Sequence, residues 1–416
     1  MDEYTKSVLV VGFNTRPLAY SLKKAGYDVY AVDFFGDLDL YPNVKDSLII
    51  INELDTSYDI SRGIYSKFLM EFAIKMMRKH SNIKYLIIAS GLDDAFEERE
   101  NILNNINEKR LKIENINNDI EIIKKVRNIE FIYNFLDSQS YKVPLTIPYE
   151  KYKEESNRFQ FPVILKKKQS SGGINVFKIE NEEKLYLFLE NQRKKNFFPS
   201  DWLIQEYIVG TPVSCTIISN GNECEIISIN RQIIGEKQVN APKEFIYCGN
   251  IVPAGLSEEE NEIISKISKT LANKFHLKGI NGFDFVLRNH YPYLMEINPR
   301  IPGSIRVSEC VLNLNLLDLH IKSFNPDNWV YVMQSIKSAR LNGFATKLII
   351  YAPKEIDKNH IERINNLQYI HDKSEPSKNV LKSEPLCTIL FKNSKFSESY
   401  KGALKIVEKI NNIIDD

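Results

Sequence analysis

Residues 8–33 contain two short apolar runs separated by an amphipathic stretch. Val8–Val11 is a continuous apolar run, which is typical of a strand buried on both faces. Pro17 suits the first turn of a helix that stops at Gly26, and a second apolar run, Val29–Val32, follows. The pattern therefore predicts a β-α-β unit of a doubly wound α/β domain.

The turn in this unit lacks the glycine pattern of a dinucleotide site. Asp33 ends the second strand about 20 residues after Gly12, as in NAD-binding folds. The glycine is followed by Phe-Asn-Thr-Arg-Pro, however, and this sequence cannot bring the backbone close to a pyrophosphate. We therefore expect a doubly wound domain with another use.

A third apolar run, Tyr85–Ala89, ends in the polar segment Ser90–Asp94. Ligands of open α/β sheets bind outside the carboxyl ends of the strands. The segments Asn14–Arg16 and Ser90–Asp94 are therefore candidates to line one crevice, although ordinary surface loops would have the same composition.

The central part of the chain contains two apolar runs joined by a Ser/Gly turn. Pro162–Lys166 and Ile174–Lys178 predict antiparallel strands. Backbone N–H groups of such a turn can contact phosphate oxygens, and Lys166 would add a positive charge. The turn residues are Ser170, Ser171, Gly172 and Gly173. Ser-Gly-Gly turns are also common in hairpins that bind nothing.

The next apolar runs, Trp202–Ile208 and Val213–Ile218, are separated by Gly210. A chain that passes through a glycine from one sheet into another would form a hinge between two subdomains. Two neighbouring strands of one sheet would give the same pattern.

The most informative segment is Gly282–Arg300. Two predicted strands flank a turn near His290, and pairing about that centre sets Asp284 opposite Glu296. Directly opposed residues have Cβ atoms about 5 Å apart, and two carboxylates there repel by roughly 3 kcal/mol at an effective dielectric constant near 20. Alternation places Asn298 and Arg300 on the same face. The apolar side chains of Phe283, Phe285 and Ile297 face the other way.

Two carboxylates and an amide on one face fit a hard divalent cation. Mg²⁺ takes a few carboxylate or amide oxygens and completes its shell with phosphate and water. The alternative is a solvated amphipathic hairpin whose acidic residues have no ligand.

Composition narrows the class of protein. A length of 416 residues predicts two to three domains, and 55 Lys+Arg against 54 Asp+Glu give a net charge of +1. This near-neutral net charge does not indicate binding to nucleic acid or to an acidic membrane surface. No apolar run approaches the ~20 residues that span a bilayer. Five Cys without a C-x-x-C pair argue against disulfides and a zinc site, so we expect a cytoplasmic protein.

The chain resembles the ATP-grasp superfamily, and within it the predicted ATP-dependent carboligases related to biotin carboxylase. The resemblance rests on the strand that ends in Lys166, the Gln205–Ile208 hinge, and Gly282-Phe283-Asp284 leading into Glu296-Ile297-Asn298-Pro299-Arg300. It implies a pre-grasp α/β domain, an ATP-grasp domain of two subdomains, and a small C-terminal α/β module. The expected limits are 1–125, 126–325 (divided into 126–208 and 209–325) and 326–416.

The resemblance also implies roles for residues. Asp284, Glu296 and Asn298 would hold Mg²⁺, or Mn²⁺ in its place, against the phosphates of ATP, and Lys166 with the Ser170–Gly173 turn would grip those phosphates. The adenine would pair with the backbone of the hinge residues Gln205, Glu206, Tyr207 and Ile208. Arg300 would stabilise the charge that develops as a carboxylate attacks the γ-phosphoryl group.

The chain departs from the family pattern at two positions. A second phosphate-binding Lys is absent before the first grasp strand, where Lys125 and Arg127 are the available cations. The ribose-binding Glu two residues after the hinge glycine is replaced by Pro212, and Glu206 is the candidate to serve instead.

The implied activity is that of an ADP-forming, carbon–nitrogen ligase. ATP would convert a small-molecule carboxylate into an acyl phosphate, and an amine would displace the phosphate. We expect the substrates to lie over the crevice near Arg231, Asn298 and Arg300, whose cations suit a carboxylate. The alternatives are carboxylation through carboxyphosphate and a non-catalytic ATP-binding regulator. A homodimer is the expected form of any self-assembly.

Overall fold

The computed structural model describes residues 6–54, 64–169, 172–193 and 197–416. The strands of these residues form a five-stranded parallel sheet, a four-stranded antiparallel sheet and an eight-stranded antiparallel sheet. This arrangement confirms the mixed α/β and α+β fold class predicted from the sequence. No helix in the described part of the chain has the length and apolar character needed to cross a bilayer.

The parallel sheet has the strand order β3-β2-β1-β4-β5. Its strands are β1 (Ser7–Gly12), β2 (Asp28–Asp33), β3 (Asp46–Ile49), β4 (Tyr85–Ile88) and β5 (Glu114–Asn115). The helices of this unit are α1 (Arg16–Lys24), α2 (Ile50–Glu53), α3 (Tyr65–Lys79) and α4 (Phe96–Glu108). All six residues of β1 are buried, as the continuous apolar run predicted. The order reverses between β1 and β4, and this reversal opens a crevice at their carboxyl ends.

Two helices, α5 (Ile120–Arg127) and α6 (Ile129–Ser138), lead into the four-stranded sheet. This sheet has the order β6-β9-β7-β8. Its strands are β6 (Thr146–Pro148), β7 (Val163–Lys167), β8 (Val176–Ile179) and β9 (Trp202–Glu206), accompanied by α7 (Tyr152–Glu155) and α8 (Glu182–Arg193). Its small core is built around the aromatic and aliphatic side chains of Trp202, Val163 and Leu165.

The eight-stranded sheet has the order β14-β13-β10-β11-β12-β15-β17-β16. Its strands are β10 (Thr211–Asn220), β11 (Cys224–Ile234), β12 (Tyr247–Val252), β13 (Lys278–Arg288), β14 (Tyr291–Asn298), β15 (Phe344–Tyr351), β16 (Ile370–His371) and β17 (Pro385–Asn393). The helices are α9 (Glu258–Lys274), α10 (Ile305–Leu312), α11 (Leu316–Lys322), α12 (Trp329–Ser338), α13 (Lys358–Asn365) and α14 (Phe396–Asp415). Because β15 pairs with β12, the strands after residue 326 continue this sheet.

Buried polar contacts tie the parallel sheet to the large sheet. The Arg16 Nε donates to Asp372 Oδ1 over 2.6 Å, and both residues are buried. His320 accepts the backbone N–H of Ile280 at Nδ1 over 2.9 Å, and its Nε2 lies 3.2 Å from the carbonyl oxygen of Ile116. His320 therefore joins three segments that are distant in sequence.

Burial lowers the pKa of His320 to about 4, so the ring is neutral at pH 7. The neutral ring donates at Nε2 and accepts at Nδ1, which satisfies both backbone groups. Protonation would turn Nδ1 into a second donor facing the N–H of Ile280.

We expect His320→Asn to reduce the dependence of the free energy of unfolding on pH in the acid range. The folded pKa lies below the unfolded value, so the wild type loses stability as pH falls from about 6.5 to about 4, by up to roughly 3 kcal/mol. Asn keeps an acceptor without titrating. Urea unfolding of both proteins between pH 7 and pH 4 measures the difference, with His276→Gln, an exposed histidine change, as control. Parallel profiles for wild type and His320→Asn would contradict this account.

Candidate active site

A cavity of about 2090 Å³ lies where the three sheets meet. Its walls come from the carboxyl ends of β1 and β4, the β7–β8 turn, the segment after β9, the β13–β14 hairpin, and the chain before β17. The wall includes Asn14, Asp93, Asp94, Arg127, Lys166, Gly172, Gly173, Gln205, Asp284, Glu296, Asn298 and Arg300. The predicted crevice loops and the predicted phosphate and metal residues therefore face one space.

The β13–β14 hairpin has the predicted register at its open end. Asp284 is directly opposite Glu296, and Asn298 is opposite Gly282. The register shifts after Asp284, and the turn consists of Asn289 and His290, both with positive φ. Because the shift lies on the turn side of Asp284, the two carboxylates remain opposed.

Asp284 accepts hydrogen bonds from two side-chain amides. The Asn298 Nδ2 donates to its Oδ2 over 2.9 Å, and the Gln232 Nε2 donates to its Oδ1 over 3.0 Å. Burial and the neighbouring Glu296 carboxylate raise the pKa of Asp284 to about 7 against these donors and Arg300. The hairpin therefore holds a carboxylate that lacks a full cationic partner.

Glu296 is paired with a cation from α5. Its Oε1 forms an ion pair with Arg127, whose Nε and Nη2 also donate to the two oxygens of Asp94 over 2.7 Å each. The Glu296 side chain is 34% exposed toward the cavity, whereas that of Arg127 is 6% exposed. Arg127 is thus a fixed, buried cation beside the hairpin.

Lys166, at the end of β7, faces the same carboxylate pair. Burial lowers its pKa to about 8, an effect that Glu296 opposes and Arg127 reinforces. A lysine whose charge is this weakly compensated favours an additional anion close by. This environment agrees with the predicted phosphate contact.

Arg300 is anchored across the domain boundary. Its Nε donates to Asp93 Oδ1 over 2.7 Å, and its Nη2 lies 3.3 Å from Asn298 Oδ1. Asp93 is buried, which by itself raises its pKa, but Arg300, Arg127 and Arg99 together lower the pKa below its usual value. The guanidinium of Arg300 is therefore held at the junction between the β13–β14 hairpin and the crevice of the parallel sheet.

The donor set fits a hard divalent cation. Two opposed carboxylates offer oxygen ligands, and the pKa of Asp284 is raised by burial and by Glu296. The amide oxygen of Asn298 faces Arg300 in this arrangement, so Asp284 and Glu296 are the side chains of the hairpin that offer carboxylate oxygens to a cation. Asn298 acts here mainly as a donor to Asp284.

The phosphate turn is described in part. Ser170 and Ser171 lie outside the described residues, whereas Gly172 and Gly173 line the cavity with φ of 67° and 77°. A Cβ atom at Gly173 would lie 1.8 Å from the carbonyl oxygen of Phe245. Glycine is required at this position because the turn packs directly on the backbone before β12.

The predicted hinge does connect two sheets. β9 ends at Glu206 in the four-stranded sheet, and β10 begins at Thr211 in the large sheet. At Gly210 a Cβ atom would lie 2.0 Å from the carbonyl oxygen of Leu287, so a side chain does not fit. The alternative of two neighbouring strands in one sheet is therefore wrong.

The four hinge residues have different environments. Gln205 is buried, and its Nε2 donates to Thr146 Oγ1 over 2.8 Å and to the Tyr133 hydroxyl over 3.1 Å. Glu206 accepts from Arg288 over 2.9 Å, Ile208 is buried, and the ring of Tyr207 lies 5.0 Å from the Lys178 ammonium. The side-chain amide of Gln205 is already used in hydrogen bonds to Thr146 and Tyr133. An adenine base bound here would therefore contact the backbone of this segment.

One expected substrate contact is wrong. Arg231 does not line the cavity; its guanidinium lies 5.3 Å from the centre of the Phe396 ring. Alternation along β11 explains this, because Gln232 faces Asp284 and its neighbour must face the other way. Gln232 was missed since it lies on β11, which is separated from the hairpin by β10, and the sequence gives no signal that its side chain reaches Asp284.

The structure also distinguishes the two cations before the first grasp strand. Arg127 lines the cavity, whereas Lys125 is exposed on α5 and is absent from the cavity wall. Lys347, a buried lysine of β15 that also lines the cavity, was not anticipated. A single lysine inside an apolar run was the only signal for it.

Comparisons with known proteins agree with this geometry. Residues 128–304 match the family of ATP-grasp domains. The chain is 28% identical over 394 residues to an uncharacterized protein of Methanocaldococcus jannaschii, covering 93% of this chain and 88% of that one. It is 26% identical over 270 residues to the tyramine–L-glutamate ligase of the same organism, covering 64% of this chain and 71% of the ligase.

Among solved structures, the fold matches a biotin carboxylase from Campylobacter jejuni in a β,γ-ATP complex. The TM-score is 0.71 at 17% identity, and the match covers 95% of this chain and 89% of that one. At this identity the likeness establishes the fold.

We expect Mg²⁺ to bind more weakly as the pH falls below about 7. Asp284 then carries a proton that the cation must displace, so affinity should drop about tenfold per pH unit below the pKa. Calorimetric titration of Mg²⁺ between pH 8 and pH 5.5 measures this slope. Asp284→Asn should bind weakly with a shallower slope, and an unchanged slope in that variant would show that another group titrates.

Proposed function

We propose that this chain, whose residues 128–304 match the family of ATP-grasp domains, is a Mg-ATP-dependent ligase that joins a carboxylate to an amine. ATP phosphorylates the carboxylate, the amine attacks the acyl phosphate, and ADP and phosphate are released. The observation that carries this proposal is the convergence of Asp284, Glu296, Arg127, Lys166 and Arg300 on one cavity. A triphosphate with its cation satisfies both signs of charge in that set.

Each side chain has a defined task in this reaction. Asp284 and Glu296 would hold a metal ion, which would supply positive charge to the phosphates. Lys166 and the glycines of the β7–β8 turn contact phosphate oxygens, and the Gln205–Ile208 backbone receives the adenine. Arg300, fixed by Asp93, stabilises negative charge on the transferring group. Enclosure between the sheets keeps water from the acyl phosphate.

We assign the role of the second phosphate-binding cation to Arg127. Its guanidinium is buried, contacts Glu296 and lines the cavity. Arginine offers several N–H donors in one plane, which suits phosphate oxygens. The ribose contact falls to Glu206, whose carboxylate is shared with Arg288 at the cavity edge.

A carboxylase reaction is the second candidate. Its support is the fold match to biotin carboxylase over nearly the whole chain. The sequence has no lysine-biotinylation motif such as A-M-K-M, so a biotin group would have to be supplied by another protein. Dependence of ADP release on bicarbonate, instead of on an amine, would favour this reaction.

ADP release with Mg-ATP and a panel of carboxylates and amines tests the ligase reaction. We expect release only when both substrates are present, and a loss of at least about 100-fold in Glu296→Gln because the metal loses a charged ligand. Glu121→Gln, on the exposed face of α5, should act like the wild type. ATP binding without turnover for any pair would favour a regulatory protein instead.

We expect Arg127→Met to weaken ATP binding by at least about tenfold, while Lys125→Met leaves it unchanged. Both changes remove one positive charge from α5, but only the guanidinium of Arg127 lines the cavity. Displacement of a fluorescent ATP analogue measures both affinities. Equal losses in the two variants would assign the effect to long-range charge and not to a phosphate contact.

A further inference from the structure

A second polar region of the cavity lies away from the metal face. It consists of carboxylates at the end of β2 and in the chain that follows it, together with one carboxylate between β16 and β17, all grouped around Arg16. The carboxylates are Asp33, Asp37, Asp39 and Asp372. Asp37 and Asp372 line the same cavity as the phosphate and metal residues, together with Lys347.

Three of these four carboxylates are satisfied by hydrogen-bond donors. Asp33 accepts from the backbone and hydroxyl of Thr15 over 2.6 and 2.8 Å, and from the backbone of Phe35 and Gly36 over 2.8 Å each. Asp39 accepts the backbone N–H groups of residues 372 and 373 over 3.2 and 2.9 Å. Asp372 receives Arg16 Nε over 2.6 Å and the hydroxyl of Thr388.

Asp37 differs from the other three. Its side chain has no hydrogen-bond donor among the residues that the structure describes, although only 8% of the residue is exposed. The remaining exposure is toward the cavity. Burial, followed by the fields of Asp372, Asp33 and Asp39, raises the pKa of Asp37 well above its usual range, and Arg16 opposes this only in part. A largely buried carboxylate without a protein donor is costly, and the cavity is the side from which water or a ligand can supply one.

We propose that Asp37 is the recognition residue for an alkylammonium group of the amine substrate. This inference rests on the proposed ligase reaction and names the chemical class of its second substrate: a diamine or other amine with an additional cationic nitrogen. The ammonium donates to Asp37, while the other nitrogen, unprotonated, attacks the acyl phosphate near Arg300.

The geometry favours an ammonium over a metal ion. Divalent cations take about six oxygen ligands, and the oxygens of Asp33, Asp39 and Asp372 are already occupied by donors. No group of three or more His, Cys, Asp or Glu side chains in the described ranges is arranged to hold a metal. An ammonium has three donors, needs few acceptors, and supplies the hydrogen-bond donor that Asp37 lacks.

Lys347 is a further cation beside the Asp37 region. Its Nζ donates to the carbonyl oxygen of Gly303 over 3.1 Å, in the segment that follows Arg300. Burial, the largest effect, lowers the pKa of Lys347, Arg16 lowers it further, and Asp372 raises it. Lys347 and Arg16 therefore both interact with Asp372, and Arg16 opposes the raised pKa of Asp37 only in part.

Pairs of amines that differ in one charge test this proposal. The probes are α,ω-diamines of three to six carbons and the amino alcohols of the same length, for example 1,4-diaminobutane and 4-amino-1-butanol. We expect wild-type protein to bind one or more diamines at least about tenfold more tightly than the matched amino alcohol, by calorimetry without nucleotide. Asp37→Asn should reduce this ratio to about one.

Glu375→Gln is the matched control. It removes a less buried carboxylate from the same cavity wall, so it should keep the preference if Asp37 acts through direct contact. Asp37→Asn should also raise the melting temperature of the free protein, because it removes a buried ionisable group without a partner. A melting temperature that falls sharply would contradict the unpaired state of Asp37.

The results separate this inference from the proposed reaction. Equal binding of diamine and amino alcohol, no binding of either, or a preference that survives in Asp37→Asn overturns the ammonium site. A preference that depends on Asp37 without ADP release for any carboxylate and amine supports the site and contradicts the ligase reaction. If ADP is released with equal kcat/KM for the diamine and the amino alcohol of every pair, the ligase reaction is supported and the ammonium site is contradicted.

Discussion

The structure depends on two carboxylates that a β-hairpin forces together. Asp284 and Glu296 are opposed because β13 and β14 pair in a register that keeps Phe283 and Ile297 in the core. A one-residue slip would bury the carboxylates and expose the aromatic side chain. Packing of the apolar face therefore fixes the repulsion on the polar face. The two opposed carboxylates in turn favour positive charge at this wall of the cavity.

The cations that lie near these two carboxylates come from elements other than the paired strands of the hairpin. Arg127 is delivered by α5 and Lys166 by the four-stranded sheet, whereas Arg300 is held by Asp93 of the parallel-sheet unit. Their positions are correct only if the three sheets keep their mutual orientation. Buried links such as His320 to Ile116 fix the pre-grasp unit on the large sheet, so stability and site geometry share the same contacts. The Gly210 hinge is where the chain crosses to the large sheet.

The local pattern of apolar and polar residues was sufficient to predict many of the strands of this fold. Apolar runs identified β1, β2 and β4, and alternation placed Asp284 opposite Glu296 before any tertiary information. Arg231 was assigned to the cavity wrongly, because the face of a central strand depends on which neighbour it pairs with. Arg127 could not be separated from Lys125 by sequence, since a helix offers both side chains and tertiary packing selects one. The Asp37 region involves residues more than 300 positions apart, which no local pattern connects.

The two polar regions of the cavity differ in how their carboxylates are balanced. At the hairpin, Glu296 already has Arg127, and Lys166 and Arg300 lie on the same wall, so a metal ion arriving there meets fixed cations. It is retained only with an anion that contacts those cations, as a triphosphate does. At Asp37 the neighbouring carboxylates accept from their own donors, whereas Asp37 has no donor in the described part of the chain. Under the two proposals, the hairpin wall selects a metal–phosphate pair because fixed cations lie beside its carboxylates, and the Asp37 region selects an ammonium because its unpaired carboxylate lacks a donor.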